Sequence, residues 1–69
     1  MTVTKVIELV GESKQSWQEA VEMAVSEASK TIRNITGVHV KNMTANVANG
    51  AIVEYKADVE IAFPVEGTK

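Results

Sequence analysis

Residues 16–34 read SWQEAVEMAVSEASKTIRN, and their spacing decides how the rest of the chain is arranged. Trp17, Ala20, Val21, Ala24, Ala28 and Ile32 recur at i, i+3, i+4, i+7, i+11 and i+15, one face of a 3.6-residue period. Gln18, Glu19, Glu22, Ser26, Ser29, Lys30 and Arg33 fall on the other face. This stretch predicts one amphipathic helix over residues 16–34. Its apolar stripe is mostly small, so a sheet can curve closely around it. Ser16-Trp17-Gln18-Glu19 has the form of a capping box, in which Glu19 reaches back to the Ser16 amide. Ser13 competes as a cap three residues earlier. Arg33 suits the negative end of the helix dipole, and Asn34 is a left-handed terminator.

Outward from the helix, the remaining segments read as strands. Residues 2–10 are rich in β-branched side chains, with Ile7 and Leu9 on one side and Val6 and Val10 on the other. Gly11 is expected to break that strand. Residues 35–37 form the exit turn, and strands follow over 38–47 and 52–65. Between them Ala48-Asn49-Gly50-Ala51 carries Asn-Gly, a strong hairpin signal. The last strand alternates cleanly: Val53, Tyr55, Ala57, Val59, Ile61 and Phe63 face one way, Glu54, Lys56, Asp58 and Glu60 the other. Pro64 suits a strand end, and residues 66–69 read as a frayed tail.

A two-residue loop without a bulge sets Val40 opposite Val59 and Val38 opposite Ile61 on the apolar face. On the polar face it sets Lys41 opposite Asp58 and His39 opposite Glu60, both charge-complementary once His39 is protonated. That histidine pairing predicts a modest pH sensitivity of assembly. In this register Asn42, Thr44 and Asn46 fall on the apolar side, where unpaired amides are costly. Either a bulge shifts the phase, or this half of the hairpin extends past the helix to a neighbouring subunit; the second is preferred. If the first strand pairs with the third, the fold is α+β: a β-α-β-β unit with a three-stranded antiparallel sheet, order 1-3-2, wrapped around one helix.

Composition narrows the function classes. At 69 residues the chain is one domain, residues 1–69, with 45% hydrophobic and 23% charged residues and a net charge of −2. Below roughly 70–80 residues a lone core rarely supplies more than ~3–5 kcal/mol. With no cysteine and one histidine, neither disulfides nor a zinc-finger site can supplement it. Oligomerisation remains, so a homo-oligomer is expected. There is no basic stripe for nucleic acid and no apolar run of membrane-spanning length. The N-terminus lacks a signal peptide's pattern, and the expected location is cytoplasmic. Two glycosylation sequons, at Asn34 and Asn42, read as coincidence. No catalytic pair, phosphate loop or cofactor fingerprint is present, so the chain is not expected to be an enzyme.

This layout resembles the dodecin family. The likeness rests on Val6-Ile7-Glu8-Leu9-Val10-Gly11 in the first strand, on Ser16 with Ala20, Ala24 and Ala28 in the helix, on Gly50-Ala51 in the turn, and on residues 59–63 in the last strand. The resemblance implies a hollow dodecamer of cubic symmetry that binds and stores a small ligand. In typical members this is a flavin (FMN or riboflavin), bound in pairs near subunit two-folds. There a tryptophan just after the helix exit stacks on the isoalloxazine, and a glutamine on the last strand hydrogen-bonds its edge. Gapless carry-over puts these two cofactor-binding positions at Gly37 and Lys56. Gly37 has no π-face, and Lys56 donates but cannot accept. The position is present and its flavin chemistry is not.

Some dodecin-like proteins lack that tryptophan and are linked to calcium instead, and the Ser16-Trp17 pair and the missing ring make this chain similar to that subgroup. The alternatives are therefore a calcium- or cation-binding shell, or a purely structural oligomer. Asp58 and Glu60 are the candidate metal ligands, with Glu54 and Glu8 nearby on the same face; calcium favours several such oxygens. The competing reading makes them ion pairs, already matched by Lys41 and His39. Trp17 is read as packing at the helix start rather than a substitute flavin stacker, and Gly37 as a glycine selected for a left-handed exit conformation.

Overall fold

In a computed structural model, which describes residues 3–65, the chain runs β1 (Thr4–Ser13), α1 (Trp17–Ser29), β2 (Gly37–Ala48) and β3 (Ala51–Pro64). The sheet order is β1-β3-β2 and both pairings are antiparallel, as expected. Thr2, expected to begin the first strand, and the expected frayed tail at 66–69 lie outside the described residues.

The helix starts where its cap dictates. Ser16 has extended φ/ψ and its Oγ accepts from the Glu19 amide at 3.0 Å. The other half of the box runs through Ser13. Its hydroxyl donates to Glu19 Oε1 while accepting from the amides of Gln15 at 2.9 Å and Ser16 at 3.4 Å. Both candidate caps are thus used, one on the helix and one beneath it. The far end differs from expectation. α1 stops at Ser29, five residues before Asn34, and Arg33 lies beyond the last turn. Thr31 and Ile32 are both β-branched and disfavour further winding. The Ile32 amide still bonds to the Ala28 carbonyl at 2.9 Å, which keeps Ile32 against the core. Asn34 then takes the left-handed conformation foreseen for it, φ 61°.

Small residues set the packing distance. Ala20, Ala24 and Ala28 are buried against Ala57, Val59 and Ile61 of β3. Burying Val59 and Ile61 stabilises the fold by about 1.5–3 kcal/mol each. Gly11 does not break β1. It pairs with Ala57 inside the strand, which continues to Ser13. A Cβ on Gly11 would lie 1.9 Å from the Ala20 carbonyl oxygen. The glycine is there because helix backbone and strand backbone nearly touch.

The hairpin closes on Asn49 (φ 53°) and Gly50 (φ 78°), the two positive φ values of a type I′ turn. The expected register holds at both ends, with Ala48 opposite Ala51 and His39, Val40 and Val38 opposite Glu60, Val59 and Ile61. It fails between them. Irregularities at Val40/Asn42 and Asn46/Val47 shift the middle by one residue, so that Asn42, not Lys41, faces Asp58. The shift moves Asn42, Thr44 and Asn46 to the polar face and turns Met43 and Ala45 toward the helix side. The bulge, the less favoured explanation, therefore accounts for the polar run. The hairpin also extends past the helix. Thirteen helical residues span ~20 Å, whereas the molecule is 55 Å long.

Candidate functional site

The polar face of the sheet is built as a ladder of cross-strand rows. From base to tip these are Val6–Ala62–Gly37, Glu8–Glu60–His39, Val10–Asp58–Asn42, Glu12–Lys56–Thr44 and Glu54–Asn46. Period-2 alternation brings each row to the same side.

Charged residues occupy the second to fifth rows, and negative charge is densest where Glu8 meets Glu60 with Asp58 in the next row. Glu8 and Glu60 sit directly opposite each other, a repulsive arrangement taken alone. Each has a cationic or protonatable neighbour. His39 Nδ1 lies 3.1 Å from Glu60 Oε1, the pairing foreseen from the sequence. The Lys41 ammonium donates to Glu8 Oε2 at 3.4 Å, reaching across β3 instead of pairing with Asp58. Its pKa is raised by the hydrogen bond to Glu8, then by the charges of Glu8, Glu60 and Asp58. Lys41 occupies the bulge, which frees it from the row pattern and lets it reach Glu8 two strands away. Asp58 itself is left with Oδ1 buried and without a hydrogen-bond partner.

Of the positions singled out in the sequence, Asp58 and Glu60 are neighbours on this face. Among the described residues, no group of three or more His, Cys, Asp or Glu side chains is placed to hold a metal ion. Gly37 and Lys56 share the face but not a location. Gly37 pairs with Ala62, six residues from Lys56 along β3, which is roughly 20 Å at ~3.3 Å per residue. Gly37 is not in the left-handed region; among the described glycines that conformation belongs to Gly50. A Cβ on Gly37 would meet nothing within 4 Å. Its backbone does not demand glycine, and the space beside it is open.

Trp17 lies on the other side of the sheet. Its Nε1 donates to the Thr44 carbonyl at 2.8 Å, and its ring meets Tyr55 edge-on, centroids 4.8 Å apart at 79°. It braces the helix start against the hairpin and does not replace the ring absent at Gly37. Sequence reasoning missed the Lys41–Glu8 link, because a cross-sheet pair two strands apart has no sequence period. It also missed the Asn46 Nδ2 donation to Glu54 Oε1 at 3.2 Å. The signal for the shift that enables it was present: apolar residues at 38, 40, 43, 45 and 47 skip once, as a bulge requires.

Comparison with known proteins is consistent across sequence and structure. The family model described as Dodecin matches residues 3–66. A dodecin of Thermus thermophilus is 32% identical over 66 residues, covering 96% of both chains. A calcium dodecin of Mycobacterium tuberculosis is 30% identical over 63 residues, covering 91% of this chain and 89% of that one. A crystal structure of the latter, described as calcium-chelating with a novel calcium-binding site, superposes with a TM-score of 0.80 at 29% identity, covering 97% of this chain and 96% of that one. A Thermus thermophilus protein structure reaches a TM-score of 0.93 at 31% identity, covering 99% and 100%.

Proposed function

The chain belongs to the dodecin family, and from that premise we propose that it is a binding and storage protein whose ligand site lies on the polar sheet face and is completed by a second copy. The separation of Gly37 and Lys56 carries this reading. Both positions correspond to family ligand contacts, yet one chain holds them roughly 20 Å apart along β3. A site that uses both draws them from two copies. That fits a dodecamer, about 89 kDa for twelve copies of a 7.4 kDa chain. It also fits the need of so small a chain for external support.

The residues present do not fit flavin in the family manner. Base–aromatic stacking is worth ~1–3 kcal/mol per ring, and Gly37 supplies none of it. Lys56 offers charge and three donors where an edge-reading amide would both donate and accept. The ligand of this face is held by charged and hydrogen-bonding groups, not by stacking, and the role is binding rather than catalysis.

A second reading has its own support. The unpartnered Asp58 Oδ1, on the same sheet face as Glu60, offers an oxygen donor suited to a hard cation, and one relative is a calcium dodecin. Asp58 and Glu60 would supply the ligands, with further oxygens contributed across a subunit contact. Calorimetry with calcium and with riboflavin, each against the metal- and flavin-free protein, separates the readings. Micromolar calcium binding lost in D58N supports the cation shell. Binding of neither, with an intact assembly by sedimentation, supports a structural oligomer. A monomer or dimer by sedimentation removes the shared-site account.

A further inference from the structure

On the helix side of the sheet, at the end away from the hairpin turn, the segment leaving α1 and the facing ends of β1 and β3 enclose an open cleft of about 420 Å³. That falls within the ~300–1,000 Å³ range of small-molecule sites. Its floor is apolar and half-buried: Ile32, Phe63 and Pro64. Its walls carry Lys5, Arg33 and the Thr31 hydroxyl. Lys5 stands directly opposite Phe63 in the β1–β3 ladder, so stem and ring rise from the same face. Among the described residues, neither cation has an ion-pair partner and no carboxylate lines the cleft. A second cleft, of about 320 Å³ beside the same helix, is lined instead by Glu12 and Glu27. Among the described residues the two clefts differ in sign, and the first pairs its cations with a ring.

We propose that this cleft binds a small organic anion, a carboxylate or phosphate carried on an apolar ring or short chain. The Arg33 guanidinium presents a fork that matches either head group. Lys5 adds a point charge from the opposite wall, and the Thr31 hydroxyl donates a hydrogen bond. Phe63 and Pro64 offer flat apolar surface to the body. The carbonyls ending α1 place partial negative charge at this end, which the two cations together offset. The site lies across the sheet from Gly37 and Lys56 and stands or falls independently of the function proposed for that face.

The test uses the full chain in its assembled form, titrated by calorimetry with phenyl phosphate and benzoate. Benzyl alcohol supplies the body without charge, and inorganic phosphate the charge without the body. The expected result is binding of at least one organic anion about tenfold or more tighter than either control, weakening as salt is raised. The stronger of the two identifies the head group. Arg33→Gln and Lys5→Gln each reduce affinity about tenfold while sedimentation is unchanged, Arg33→Lys reduces it less, and Lys56→Gln leaves it unaltered. Lys5 sits on an exposed strand position, so its variant keeps the test open if Arg33→Gln fails to assemble. Equal binding of benzyl alcohol, no loss in Lys5→Gln, or no binding because a neighbouring copy fills the cleft overturns the proposal.

Discussion

The two halves of the β2–β3 hairpin obey the same alternation and meet different fates. At the base, Ala57, Val59 and Ile61 have no exposed surface, because α1 lies over them. Toward the turn, Met43, Val47, Ile52 and Val53 are 57%, 65%, 46% and 47% exposed, because they lie beyond the start of α1 at Trp17. Periodicity says which face a side chain takes; only element length says whether anything covers it. Apolar surface of this extent on a projecting arm is what a contact with other copies would cover, as the proposed oligomer requires. The Lys41 bulge sits at the junction between the halves and the Val53 bulge near the turn, and Trp17 bridges the halves through Thr44 and Tyr55.

The sharpest way to break the covered half is Gly11→Val. Its Cβ would collide with helix backbone, which cannot yield as a flexible side chain does. A loss of about 3 kcal/mol or more is expected, read as a lower denaturant midpoint and a reduced assembled fraction. The projecting half should respond differently. Val47→Asp is expected to weaken subunit association by about 1.5–3 kcal/mol, seen as a lower sedimentation mass at fixed concentration, with the α1 circular-dichroism signal retained per folded chain. If both variants reduce folding and assembly in the same proportion, the halves are not distinct. The smallest effect is expected at the bridge. Trp17→Phe keeps a ring against Tyr55 but removes the donor to Thr44, for about 1 kcal/mol, measured by thermal or chemical unfolding of the assembly.

Most of the architecture was legible because it rests on local signals. The Ser16 cap, the alanine stripe, the Asn-Gly turn and the alternation of β3 each have a short-range cause. What escaped reading rests on tertiary contact. Gly11 looks like a strand breaker until Ala20 lies on it. Residues 30–34 continue a helical pattern that the structure ends at Ser29. The middle register depends on paired bulges at Lys41 and Val53 that cancel by the turn. For the candidate site, the alternation put Lys56, Asp58 and Glu60 on one face, as observed, but it left Asn42, Thr44 and Asn46 on the other. The expected register already separated Gly37 from Lys56 along the strand, but it could not show that Lys41 reaches Glu8. Sequence reasoning took Gly37 for a conformational glycine, and the backbone shows that it is not. Glycine there leaves room and withholds a ring.

The central claim is that this family member retains the place of the ligand but not the stacking chemistry. Gly37→Trp tests it most directly, because the backbone at 37 accepts a side chain and the space is open. Riboflavin titration, followed by quenching of flavin fluorescence, is expected to show about tenfold or greater tightening in Gly37→Trp over the unaltered chain. If the unaltered chain already binds riboflavin as tightly as the variant, the account is contradicted.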